Sequence, residues 1–147
     1  IGTIIVDPNT GRTLARSSDE RLQQGLIGHN PLATSVILAI QGVSRSERQN
    51  AVSHGMDSTA FRSGQYLCTG CDCYTTLEPT AFEAMALVHA RIRRTVFGCA
   101  LTDAPGGLTK ISVHALPGTN HKYRAFVCGP DSEWGKACIE LRDGGEL

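Results

Sequence analysis

The sequence predicts an α/β domain in which helices cover a mixed sheet of about five strands. Three observations carry that reading. Short β-branched or aromatic runs (Gly2 to Val6, Tyr74 to Leu77, Thr95 to Phe97, Tyr123 to Val127) alternate with stretches whose apolar residues recur at helical spacing. Breaks rich in Pro and Gly separate them, as at Asp7-Pro8-Asn9-Thr10-Gly11, Glu78-Pro79 and Gly129-Pro130. The 147 residues suit one domain, which at that size buries roughly two-thirds of its unfolded surface.

Taken in order, Gly2 to Val6 and Arg12 to Ala15 form an opening hairpin about the Asp7–Gly11 turn. Ser17 to Gly28 has no sustained period and reads as a loop. In His29 to Gly42, Asn30 suits an N-cap and Pro31 the first helical position. Leu32, Val36, Ile37 and Ile40 then mark a core face. Val43 to Gly64 is Ser-, Arg- and Gly-rich and reads as an inserted mobile loop. After the strand from Tyr74, Glu78-Pro79 stops the sheet, and Thr80 with Glu83 three residues on forms a capping box. Phe82, Met85, Ala86 and His89 share one face of that helix, and Arg91, Arg93 and Arg94 crowd its far end, where cations suit the helix dipole. Asp131 or Ser132 caps a last helix with a stripe of Trp134, Ala137, Cys138 and Leu141.

Composition excludes several classes. Lys+Arg and Asp+Glu both number 14, so no global field draws the chain to nucleic acid, and RNA affinity needs local patches or a partner. No apolar run approaches the ~20 residues that span a bilayer. The chain starts at Ile1 rather than Met and has no secretory pattern, so a further N-terminal region is expected. Six cysteines at 68, 71, 73, 99, 128 and 138 read as reduced thiols. Cys68-x-x-Cys71-x-Cys73 has metal or redox spacing, but no second ligand pair stands at a matching distance.

Two stretches say more. Tyr74 to Gly98, YTTLEPTAFEAMALVHARIRRTVFG, resembles the second motif of the zinc-dependent tRNA adenosine deaminases: strand, EPCxxC, helix, H(S/A)RI, strand, FG. His29 to Gly42 is similar in spacing to their first motif, HxPxxHAExxAL, and Asn120-His121-Lys122-Tyr123 to their NHR/NHK element. The run Tyr66-Leu67-Cys68-Thr69-Gly70 resembles, more narrowly, the non-catalytic subunit of the eukaryotic heterodimeric enzyme. The resemblance covers nearly the whole chain except Val43–Gly64. It implies the cytidine-deaminase-like three-layer fold.

Where the family keeps its chemistry, this sequence departs. The family's zinc-binding histidine falls on Thr34, its two zinc cysteines on Thr80 and Glu83, and its general acid/base glutamate on Val36. A Thr hydroxyl is not a normal zinc ligand, one carboxylate cannot hold the ion alone, and valine transfers no proton. These four positions are therefore expected to cap and pack, with no catalytic residue and no metal in this chain. The resemblance then implies a catalytically degenerate subunit. A catalytic deaminase partner would supply zinc and glutamate, forming a heterodimer that converts wobble adenosine of tRNA to inosine in the cytoplasm or nucleus. Asn30, Arg91, Arg93, Arg94, His121 and Lys122 are the candidates for RNA or partner contact. Two alternatives stand beside this: an active metal-dependent nucleotide deaminase rebuilt from Glu83, His29 or Cys68/Cys71/Cys73, and an interaction scaffold that uses the fold without RNA.

Overall fold

The computed structural model describes residues 1–21, 30–53 and 68–144. Its elements run β1 (Gly2–Val6), β2 (Thr13–Ser18), α1 (Ser35–Ser53), β3 (Asp72–Leu77), α2 (Ala81–His89), β4 (Arg94–Cys99), a 3-10 turn at Val113–Ala115, β5 (Arg124–Val127) and α3 (Glu133–Asp143). The five strands form one sheet in the order β2-β1-β3-β4-β5. β1 is antiparallel to β2 and β3, whereas β3, β4 and β5 run parallel. Parallel strands occur almost only in sheets covered by helices. α1 lies against β1 and β2 and touches α2, and α3 lies against β3 and β4.

Local chemistry explains the starts of most elements. The hairpin turn closes because the Asp7 carboxylate accepts from the Asn9 amide at 2.9 Å and the Thr10 hydroxyl at 2.8 Å, while Gly11 takes φ +70°. β2 continues to Ser18, beyond the expected Ala15, paired to Gly2. α2 begins in the predicted capping box, and α3 begins at Ser132, whose hydroxyl accepts from the Gly135 amide at 3.0 Å. Ile5, Leu87 and Ile92 are fully buried with Val36, Ala39, Ala84, Cys68, Cys73 and Phe97 in one cluster between the sheet and the α1/α2 layer. Burial of each large aliphatic side chain contributes about 1.5–3 kcal/mol.

Five expectations need correction. α1 starts at Ser35, because Asn30 caps only a turn: its Oδ1 accepts from the Leu32 amide at 3.1 Å. The same helix runs through Ser53, so residues 43–53 are helical rather than an inserted loop. Residues 54–64 of that stretch lie outside the described residues. The buried face of α2 is Glu83, Ala84, Leu87 and Val88, with Phe82 53% exposed, the reverse of the face the spacing suggested. Likewise Leu32 is exposed, and on α3 Gly135 and Cys138 face inward while Ala137 and Leu141 do not.

Candidate functional site

The four positions singled out in the sequence, Thr34, Val36, Thr80 and Glu83, sit at the starts of α1 and α2. Thr34 is buried; its hydroxyl accepts from the Ile37 amide at 3.4 Å and its carbonyl from the Leu38 amide at 2.9 Å, so it caps α1. Val36, one turn in, is 1% exposed and shares the core cluster with Ala84. Thr80 Oγ1 accepts from the Glu83 amide, while Glu83 Oε2 receives both the Thr80 amide and the Thr80 hydroxyl at 2.8 Å. Glu83 is only 7% exposed. The Arg21 guanidinium is strengthened first by its hydrogen bond to Asp19, against the pull of burial, and then by the charges of Asp19 and Glu83.

This donor set does not fit zinc. Thr34 and Thr80 present hydroxyls already spent on caps, Val36 presents methyl groups, and the Glu83 carboxylate is held by its own helix start. A zinc site needs three or four thiolate, imidazole or carboxylate donors converging on one point. Among the described residues no three His, Cys, Asp or Glu side chains are so arranged. His29 lies outside them. The Cys68/Cys71/Cys73 cluster is packing: burial first, then the neighbouring Cys71 and Glu47 charges, pushes the Cys68 thiol up to about 12. Cys73 is pushed up further and Cys71 is raised, in both cases chiefly by burial. Thiols so disposed stay protonated near neutrality. Their backbone does the structural work, since the Cys68 amide donates to the Ala90 carbonyl at 3.1 Å and the Cys71 carbonyl accepts from the Arg93 amide at 2.9 Å.

The candidate contact residues are scattered. Arg91 occupies the left-handed region (φ 57°) just past α2. Arg93 and Arg94 are not on the helix: both reach the buried Asp72 carboxylate, at 2.9 and 2.7 Å. Burial alone would raise Asp72, but the bonds and charges of Arg93 and Arg94 outweigh it and hold the carboxyl below its usual value. His121 Nε2 bonds the Ile92 carbonyl at 2.7 Å, tying the NHKY loop to the α2–β4 corner. Asn30 and Lys122 are exposed.

Glu78, read in the sequence only as part of a strand break, is a second organising acid. It is 2% exposed and accepts from the amides of Leu101 and Leu108 at 3.1 Å, the Thr109 amide at 2.7 Å and the Thr109 hydroxyl at 3.1 Å. It thereby pins the loop between β4 and β5 beside the start of α2, where the Gly107 amide donates to the Pro79 carbonyl at 3.0 Å. An acid directly before the breaking Pro was the only local signal.

Comparison with known proteins gives the class first. No protein-family model matches the chain. A solved structure from studies of A-to-I editing by tRNA:A34 deaminases superimposes with TM-score 0.64 at 22% identity, over 93% of this chain and 83% of that one. A mutant of NE0047 bound to 8-azaguanine gives TM-score 0.57 at 16% identity, covering 97% of this chain and 70% of that one. The fold is therefore cytidine-deaminase-like. The sequence relatives narrow it. The human "probable inactive tRNA-specific adenosine deaminase-like protein 3" is 32% identical over 148 residues, 86% of this chain and 40% of that protein. The Schizosaccharomyces pombe "tRNA-specific adenosine deaminase subunit tad3" is 32% identical over 140 residues, 95% of this chain and 40% of that protein. "tRNA-specific adenosine deaminase TAD3" of Arabidopsis thaliana reaches 50% over 70 residues, 45% of this chain and 17% of that protein. The fold is thus that of the deaminases, and the chain is similar in sequence to one part of the Tad3-type proteins, spanning about two-fifths of the length of the human and fission-yeast relatives.

Proposed function

We propose that this chain is the non-catalytic half of a tRNA adenosine deaminase. It would pair with a zinc-bearing deaminase subunit that performs the wobble adenosine-to-inosine reaction, and it would help to position the tRNA. The observation that carries this is the state of the four positions. Thr34, Thr80 and Glu83 serve as helix caps and Val36 as core, so none of these four residues is free to activate water or carry a proton. Leu32, Phe82 and Ile111, at 55%, 53% and 39% exposure, are large apolar side chains from three segments. In this reading they are apolar contacts for the partner subunit. Lys122 and Asn30 remain open to solvent for RNA contact, whereas Arg93 and Arg94 act mainly through Asp72. No helix among the described residues is long and apolar enough to cross a membrane, which agrees with action on tRNA in the cytoplasm or nucleus.

The test is zinc content and inosine formation for this chain alone and with a catalytic deaminase subunit. The lone chain should hold no stoichiometric zinc and deaminate nothing. The pair should hold one zinc per heterodimer and convert the wobble adenosine. One tightly held zinc on the lone chain, or ammonia release from adenosine or cytidine, refutes the reading. A pair that is inactive and binds no tRNA favours the scaffold alternative.

A further inference from the structure

The two sides of the sheet are covered unequally. Thr3, Ile5, Cys73, Thr75 and Phe97 point toward α1 and α2 and are buried. The alternate residues point the other way, where α3 lies against β3 and β4. Pairing fixes what the open half presents. Ile4 stands between Arg16 and Tyr74 in one row, and Gly2 pairs with Ser18 and donates its amide to the Thr76 hydroxyl at 3.1 Å in the next. These residues line a groove of about 830 Å³ together with Trp134 of α3; Leu38, Gly42 and Arg45 of α1 also line it, with Thr3 and Ser17, so the groove continues past the open face of the sheet to α1. That volume lies within the range of ligand-binding clefts, roughly 300–1,000 Å³.

Resting on the proposed function, we propose that this groove binds single-stranded RNA of the tRNA substrate, with bases against Tyr74 and Trp134 and phosphates at Arg16 and Arg45. Two aromatic rings and two arginines in no ion pair among the described residues line the same groove, and these are the elements of a sequence-tolerant single-strand site. Arg16 is exposed and in no ion pair among the described residues. Arg45 is also exposed and, among the described residues, makes a 3.5 Å contact to Gln41. Glu20 is the one carboxylate lining the groove. A covering protein helix would want a continuous apolar floor. Here the floor is broken by Gly2, Ser18, Thr76 and Arg16, and its hydroxyls suit ribose and phosphate. The groove also supplies the local basic patch that a chain with no net charge needs to meet RNA.

Trp134 is the only tryptophan in the chain, so its emission reports on the groove directly. The 147-residue chain is titrated with an anticodon stem-loop RNA while Trp134 fluorescence and RNA anisotropy are followed at several salt concentrations. The expected result is quenching in step with binding. Arg16→Glu with Arg45→Glu should weaken binding about tenfold or more and lower the salt slope by roughly 0.7 for each arginine removed. Trp134→Phe should keep the fold by circular dichroism and bind within about threefold, because a ring remains for stacking. Binding that leaves Trp134 emission unchanged and ignores both charge reversals overturns the groove while leaving the tRNA role intact. Absence of RNA binding to the chain also overturns it, and so does an emission change caused only by the deaminase subunit. The proposed function itself is then judged separately, by inosine formation in the pair.

Discussion

Glu78→Gln is the most informative substitution, because shape is kept while charge and one acceptor are removed. The glutamine carbonyl oxygen can still take the Leu108 and Thr109 amides, now at 3.1 and 2.7 Å. The new amide nitrogen then stands where Oε2 receives the Leu101 amide at 3.1 Å, so two donors face each other. The Thr109 hydroxyl, also on Oε2, can rotate to accept instead. A stranded buried donor costs about 1–3 kcal/mol, and each remaining bond loses charge assistance. The sum is about 2–4 kcal/mol of stability, or a drop in Tm of roughly 5–12 °C for a domain this size. Glu78→Ala, which strands all four donors, should lose about 3–5 kcal/mol, as in other uncompensated buried charge networks. Calorimetry reads the Tm, and hydrogen exchange at Leu101, Leu108 and Thr109 localises the effect. A glutamine variant within about 2 °C of wild type, with those amides equally protected, would show that Glu78 does not organise the loop.

Four further outcomes follow from the same geometry. Gly98→Ala should destabilise by about 1–3 kcal/mol or more, since a Cβ there would sit 2.7 Å from the Thr76 carbonyl and against Cys138 Sγ; chemical denaturation measures it. Asp72 has a folded pKa below its unfolded one, so its stabilisation is present above about pH 4 and is lost as the pH falls through the lowered value. Asp72→Asn should accordingly flatten the acid limb of a Tm-versus-pH profile, and an unchanged limb would count against the Arg93–Asp72–Arg94 clasp. Thr80→Ala should cost about 1 kcal/mol through loss of the α2 cap, seen as a lower urea midpoint. A metal chelator should leave the Tm of the isolated chain within 1 °C or so, because no ligand-dependent stabilisation is removed.

How much could be read from the sequence depended on how local each cause is. The α2 start was legible because Thr80 and Glu83 are three residues apart and complete their own hydrogen bonds. So was the identity of the residues at positions 34, 36, 80 and 83, which needs no fold to be read. The α1 start was misread because Asn30-Pro31 has the chemistry of a cap yet closes only a turn, while Thr34 caps the helix itself. Its second half was missed because Ser44 to Gln49 has no apolar stripe; that segment is helical through propensity and continuity with the buried first half. α2 is apolar nearly all round, so only the placement of β3 and β4 decides that Leu87 and Val88 turn inward and Phe82 outward. Arg93 and Arg94 looked like helix-end cations because their partner, Asp72, stands some twenty residues earlier on another strand.

The reciprocal bonds of Thr80 and Glu83 also bear on the order in which the domain is assembled. A metal centre can close only after distant segments have met, whereas this contact closes within a single helical turn. α2 can therefore secure its own beginning while the chain is still being synthesised, before β4 or the loop that Glu78 gathers has appeared. What remains for later is the joining of α1, α2 and the sheet, which rests on the apolar cluster that includes Ile5, Val36, Ala84, Leu87 and Phe97.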